Sequence, residues 1–446
     1  MRQPRWSLVI PLVLLATVSR RAAASPTDLF GALPAGTATA GAQTAAGTDI
    51  GAVYYNPANL GIGGSSGHAS LQLGYAYGLP LLKVNRSGDT ATSISTYPTS
   101  NPSGQGYYTL GAMIPIGGKI RNLLTFGILF YLPQSKIIEV DSVDPEQTQW
   151  LRYQSDANRI VFAAGFGARP VPWLALGIGI QVLAGLGGTV NLNADLFAQS
   201  VTSRNLSFSL DYAVAPTAGI SIEPTKDLRF SVAYRGPLQV NVTLPAQIEL
   251  SGLGNLDFTV NGVLDYTPHQ VSAAAQIPIV EGLKISLDLL WQHWATSPNP
   301  AIQLDVSTGG AVLDGLGLSS ILGLKTNDPP PGFTDTLTPS ASIVYVPPGH
   351  MWVLRAGYAY RPTYVPNQVA STNYLDADAH IIATGVTFRF YDALEIFTNP
   401  LNIDVGGQVQ ILPTRSVDKA QAADPVGNYS FGGEVVALAA SVRYDF

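Results

Sequence analysis

The sequence predicts an all-β fold, a transmembrane antiparallel β-barrel of about fourteen strands with an N-terminal hatch, or plug, in its lumen. Three observations carry this. Charged residues make up 12% of the chain and apolar ones 46%, with a mean hydropathy of +0.19. Yet beyond residue 24 no uninterrupted apolar stretch reaches the roughly 18 to 20 residues that a spanning helix needs. Many segments instead alternate apolar and polar side chains with a period of two, as a strand does between lipid and water. Connections alternate between short turns and long polar loops, the pattern of a membrane barrel. A soluble sandwich would show the alternation but would have no reason to sort its loops by end.

The chain opens with arginines at 2 and 5, an apolar run from Leu8 to Val18, and Ala22-Ala23-Ala24 before Ser25, so residues 1–24 are expected to be a secretory signal peptide. The run is too short for a spanning helix. Removing it takes away Arg2, Arg5, Arg20 and Arg21 and leaves 20 basic against 30 acidic residues. Nucleic acid is therefore not an expected partner. Zero cysteines in an exported chain exclude a disulfide framework and a thiolate metal site.

Residues 25–67 are rich in Gly, Ala and Thr and lack the strand period, which sets them apart from the wall as a hatch. A lumen of about fourteen strands is too wide for side chains to fill, and a segment of small residues packs there closely. Residues 68–446 are expected to form the barrel. Strands are predicted near 68–78, 105–116, 122–132, 158–169, 173–186, 206–222, 227–244, 259–278, 283–294, 338–347, 350–361, 380–390, 399–412 and 433–446. In "LKISLDLLWQHW", Ile285, Leu287, Leu289 and Trp291 share the lipid face, with Lys284, Ser286, Asp288 and Gln292 opposite. "SLQLGYAYG" and "LRFSVAYRG" show the same parity. The final strand, "VALAASVRYDF", places Val436, Leu438, Ala440, Val442, Tyr444 and Phe446 on one face.

Two stretches carry a family likeness. "AGTATAGAQTAAGTDIGAVYYNPANLG" holds Tyr54, Tyr55, Asn56, Pro57 and Ala58, and "LRAGYAYRPTYVPNQVASTNYLDADAH" holds Pro362, Pro366, Asp376, Asp378 and His380. They resemble the hatch motif and the C-terminal rim motif of the outer-membrane long-chain fatty acid and aromatic hydrocarbon transport family (FadL/TodX type). The resemblance spans the chain beyond the signal and departs mildly at "PANLG", where the family often has Pro-Ala-Gly-Leu. It implies passive transport of hydrophobic small molecules across the bacterial outer membrane. Ligand would be caught among extracellular loops, enter an apolar pocket near the hatch, and leave sideways through the wall. The nearest apolar candidates for pocket and opening are Leu196, Phe197, Leu250, Leu253, Phe126, Phe130 and Tyr131, with Gly127 as a place where strand pairing could loosen. A terminal strand ending at Phe446 resembles the signal read by the barrel assembly machinery. Outer-membrane lipid and lipopolysaccharide are the expected surroundings, and a monomer is expected.

Other patterns favour bland explanations. "GGSSG", Gly63 to Gly67, satisfies G-x-S-x-G, but a nucleophile elbow needs a strand, turn and helix around it; a linker from hatch to wall fits better. "DADAH" could hold a weak metal site, against a hydrogen-bonded rim network that the resemblance favours. Histidines 68, 269, 293, 350 and 380 assemble no catalytic motif. No enzyme activity, cofactor or metal is expected. The rival functions are a general porin for polar solutes, which would want an open charged constriction, and a non-transport barrel such as an adhesin or lipase.

Overall fold

The computed structural model describes residues 26–86, 102–117, 123–135, 147–153, 160–195, 200–250, 254–301, 303–309, 331–391, 399–421, 424 and 426–446. The expected signal peptide, 1–24, lies outside them. Fourteen strands form the wall: β1 (Ser70–Arg86), β2 (Gln105–Pro115), β3 (Leu124–Pro133), β4 (Val161–Val171), β5 (Leu174–Asp195), β6 (Ser200–Thr225), β7 (Leu228–Arg235), β8 (Gln270–Val280), β9 (Leu283–Gln292), β10 (Thr336–Tyr345), β11 (Trp352–Arg361), β12 (Ala379–Phe390), β13 (Leu401–Val417) and β14 (Tyr429–Asp445). Each pairs antiparallel with the next. β14 then returns to β1, from Ser70 opposite Asp445 to Arg86 opposite Tyr429. Closure leaves the wall no free edge, as a hydrocarbon environment demands of a sheet.

The alternation sorts the side chains as the sequence predicts. Leu287, Leu289 and Trp291 point outward and are exposed, while Ser286, Asp288 and Gln292 point inward and are buried. Phe230, Val232 and Tyr234 likewise face out, against Arg229, Ser231, Ala233 and Arg235 within. Segments 227–244 and 259–278, each predicted as one strand, are two strands apiece. The chain leaves the wall at Gly236-Pro237 and returns at Pro268-His269. Between them Leu238–Leu250 and Gly254–Thr267 form a hairpin that also pairs with Gln303–Gly309 and, in parallel, with Val190–Ala194 of β5. Proline supplies no backbone N–H, so it marks the places where a ladder can be left.

The N-terminal segment lies in the lumen as four short helices, α1 (Pro26–Phe30), α2 (Leu33–Ala38), α3 (Ala52–Tyr55) and α4 (Ala58–Gly63), and a final 3-10 turn, Gly64–Ser66. Leu33 at φ 62° and Ala40 at φ 50° occupy the left-handed region, which disfavours side chains and needs surrounding structure to hold it. Part of that support comes from β3, where the Tyr131 hydroxyl accepts a hydrogen bond from the Leu33 N–H. The inner wall is moulded to the hatch. A Cβ on Gly177 would stand 2.1 Å from the Ala58 nitrogen, on Gly167 2.4 Å from the Gly61 nitrogen, on Gly357 2.3 Å from the Thr39 carbonyl carbon, and on Gly406 2.2 Å from the Pro34 oxygen. No side chain fits there, because hatch backbone fills the space.

Candidate functional site

The Asn-Pro turn is anchored from three directions. Asn56 Nδ2 donates to the Thr44 carbonyl and to Ser221 Oγ on β6, both at 3.0 Å, and Asn56 Oδ1 accepts from the Ala58 N–H at 3.1 Å. Asn59 joins the same knot through the Thr44 carbonyl and Ser221. Pro57, with φ near −61°, starts α4, since its ring fixes the dihedral a helix needs. On the preceding turn the Tyr54 ring lies 3.9 Å from the Arg235 guanidinium, and its hydroxyl donates to Asp28. Arg235 donates to Asp28 at 3.0 Å, to the Tyr54 hydroxyl at 2.9 Å and to the Tyr54 carbonyl at 2.8 Å. The Tyr55 hydroxyl accepts from the Ala32 N–H at 2.8 Å. Burial raises the pKa of both tyrosines well above its usual value, so both stay neutral hydroxyls.

Beside the hatch a cavity of about 110 Å³ is lined by Asp28, Thr44 and Tyr54 from the hatch and by Arg235, Gln270, Asp288, Thr338, Arg361 and Arg152 around it. Two of its three arginines are neutralised, Arg235 by Asp28 and Arg152 by Asp376 at 3.3 Å. Arg361 donates to Gln410 Oε1 at 2.8 Å and to the Tyr153 hydroxyl, and among the described residues it forms no ion pair. Asp288 accepts from the Thr44 N–H at 2.8 Å. Above the cavity, on the long-loop side, Trp294 and Tyr364 stack at 4.0 Å with Phe333 edge-on at 5.0 Å. These rings form an apolar cluster with Leu151, Val263, Tyr266, Val365 and Tyr374. The Arg152 guanidinium lies 4.7 Å from the Tyr364 ring, so the aromatic cluster and the charged cavity share a border.

A filled barrel of this build has known counterparts. Residues 13–446 match the family described as "Outer membrane protein transport protein (OMPP1/FadL/TodX)". The chain belongs to that family. It is an outer-membrane barrel of the OMPP1/FadL/TodX transport proteins, similar over 433 residues, at 21% identity, to alkane uptake protein A of Marinobacter nauticus; the match covers 94% of this chain and 90% of that protein. Among solved structures, the fold resembles the Pseudomonas putida toluene transporter TodX, with TM-score 0.57, 14% identity, and 94% and 99% of the two chains covered. It also resembles a FadL homologue of Pseudomonas aeruginosa, with TM-score 0.56, 15% identity, and 93% and 98% covered.

In this OMPP1/FadL/TodX chain the sequence-derived candidates scatter. Gly127 and Tyr131 face the hatch, with a Cβ on Gly127 only 2.6 Å from Leu60 Cδ2. Phe126 and Phe130 lie on the outer face, packed on Phe166 at 5.1 Å and Phe162 at 4.8 Å. The loosened pairing expected at Gly127 is not found: β3 pairs without a break with β2 and with β4, and the glycine makes room for Leu60 instead. Leu250 ends a strand of the loop hairpin; Leu196, Phe197 and Leu253 lie outside the described residues. The rim residues do gather. Asp378 accepts from the Thr363 N–H at 2.8 Å and the Tyr360 hydroxyl at 2.6 Å, Asp376 accepts from Thr363 Oγ1 at 2.9 Å, and His380 Nδ1 bonds the Tyr358 hydroxyl at 2.9 Å. Pro362 and Pro366 flank this turn, and Gln368 donates to the Pro366 carbonyl at 2.9 Å. Among the described residues no three metal-ligating side chains converge. In "GGSSG", Ser65 donates to the Ile62 carbonyl at 2.6 Å within a 3-10 turn, and the strand-turn-helix of a nucleophile elbow is not formed there. Arg235, Asp288, Ser221 and Gln410, the last donating to the Leu29 carbonyl at 2.6 Å, were not singled out by the sequence as hatch anchors; their inward parity was the signal that could have found them.

Proposed function

We propose that the chain passively carries hydrophobic molecules with an anionic head, long-chain fatty acids being the class that fits, across the outer membrane. The observation that carries this is Arg361, a buried guanidinium on the cavity beside the hatch with no ion-pair partner among the described residues. A carboxylate would complete it through charge-assisted hydrogen bonds, and an alkyl tail would find the aromatic cluster next to Arg152. A pure hydrocarbon would leave Arg361 to the neutral acceptors Gln410 and Tyr153 and to the more distant Asp376. Transport down a gradient needs no catalytic group, cofactor or metal, and a lumen filled by a hatch disfavours a general porin. A second reading, uptake of hydrocarbons, draws on the Trp294–Tyr364–Phe333 cluster and on the similarity to an alkane uptake protein. The outward Phe446 fits recognition by the assembly machinery, and lipid and lipopolysaccharide would surround a monomeric barrel.

Purified Arg361→Gln should bind oleate more weakly than wild type, by tryptophan quenching, while Arg361→Lys retains most of the affinity and toluene binding is the same in all three. Equal oleate binding by Arg361→Gln and wild type would remove the carboxylate reading in favour of hydrocarbons.

A further inference from the structure

The cavity beside the hatch carries more polar groups than the hatch uses. β8, β9 and β10 bring Gln270, Asp288 and Thr338 to its lining, and Thr267 and Trp294 join them toward the long loops. All five are buried, a tenth exposed or less. Each nonetheless keeps one polar atom without a hydrogen-bond partner among the described residues: Thr267 Oγ1, Gln270 Nε2, Asp288 Oδ1, Trp294 Nε1 and Thr338 Oγ1. Buried polar side chains are as a rule paired, and an orphaned one costs more than a made bond gains. Five around one cavity of about 110 Å³ mark a place that a molecule with polar groups of its own completes.

Bonds already made fix what these atoms offer. Asp288 Oδ2 accepts from the Thr44 N–H at 2.8 Å, so Oδ1 is the oxygen left over. Gln270 Oε1 accepts from Arg235 at 3.1 Å, which leaves Nε2 as a donor. Register orders the groups. Asp288 pairs with Ser340 and Leu290 with Thr338, while Ser340 pairs with Ala359. Thr338 therefore stands one strand from Asp288 and two residues nearer the long loops, and Arg361 lies at the same height one strand further on. A carboxylate held by Arg361 is separated from Asp288, and Thr338 comes between them.

We propose that Asp288 and Thr338 form a hydroxyl-binding subsite, so that the cavity selects fatty acids with a hydroxyl in the half of the chain nearer the carboxylate. The inference rests on the fatty-acid transport reading and narrows its cargo. Asp288 repels a second carboxylate and calls for a donor. An ammonium group would meet the like charge of Arg152, Arg235 and Arg361, which line the same cavity. A hydroxyl is neutral and both donates and accepts: it gives its proton to Asp288 Oδ1 and accepts from Thr338 Oγ1. Two strand spacings and two residues set Asp288 and Arg361 about 12 Å apart at their α-carbons; their side chains take up part of this, which places the hydroxyl roughly six carbons from the carboxyl carbon. A plain alkyl chain leaves both protein groups unpaired, and a site built to bond a hydroxyl discriminates against the analogue that lacks it.

Calorimetric titration of the purified full chain in detergent with hexadecanoate, its 7-hydroxy derivative and its 16-hydroxy derivative tests this. Wild type should bind the 7-hydroxy acid about tenfold or more tighter than the other two, the effect of one hydrogen bond to a charged group. Asp288→Asn keeps an oxygen for the Thr44 N–H, which also prevents the amide from flipping, and sets a donor where Oδ1 stood. Its ratio of 7-hydroxy to plain affinity should fall toward one while the hatch stays protease-resistant. Thr338→Val removes a hydroxyl that bonds nothing within the described protein, so it tests the subsite without disturbing an anchor; the ratio should fall several-fold. Equal binding of the plain and 7-hydroxy acids by wild type would mean that water alone fills the subsite, and would overturn the proposal while leaving fatty-acid transport intact. A preference that survives in both variants, or one for the 16-hydroxy acid, would overturn it equally. Failure of all three acids to bind would remove the cargo reading, and the proposal with it.

Discussion

Asn56 uses both ends of its amide, and its partners sit as far away in sequence as Ser221. Asn56→Ala with Pro57→Gly should leave the barrel folded, because no wall strand contains either residue. The hatch loses about 1–3 kcal/mol of buried hydrogen bonding and roughly 0.4–1 kcal/mol more from added backbone freedom. Fatty-acid uptake should change and leakage of small polar antibiotics should rise at unchanged outer-membrane abundance; unchanged uptake would make the motif a mere linker. Gly177→Val probes the same fit from the wall side. Valine suits a strand, but its Cβ would fall 2.1 Å from Ala58, so hatch residues should become protease-sensitive while the barrel stays resistant. The motif itself was legible because Asn-Pro constrains the chain locally. Its partners were not, since nothing in a sequence states that Ser221 will face residue 56 across a lumen.

Strands were legible wherever lipid enforces the period of two. All fourteen wall strands have sequence counterparts, but alternation also runs through "LQVNVTL" in the loop hairpin, so period alone cannot tell wall from an extension above it. The breaks were visible in Gly236-Pro237 and Pro268 and carried the missing information. Depth gives a test of the assignment. Leu287→Arg, in mid-strand on the outer face, should cost about 2–4 kcal/mol, whereas Tyr345→Arg at the strand end should cost about 0–1. Folding titrations in detergent or lipid check this, and equal costs would place β9 at the wrong depth.

As a whole, the molecule is a wall, a filling and one small cavity. Extracted protein should give a β-rich circular dichroism spectrum and heat-modifiable migration, and wild type in planar bilayers should lack the large steady conductance that a variant without residues 26–67 displays. Porin-like steps from wild type would contradict the packed lumen. The close fit at the wall glycines leads to an expected order of events during biogenesis. Hatch backbone seats against Gly177 on one side and Gly406 on another at distances that leave no clearance for threading it in later. The order expected from this fit is that residues 26–66 are in place before Ser70 meets Asp445, as the former around which the last seam zips. A hatch peptide offered to an already closed, empty barrel should then fail to comigrate with it, while the two pieces refolded together should comigrate.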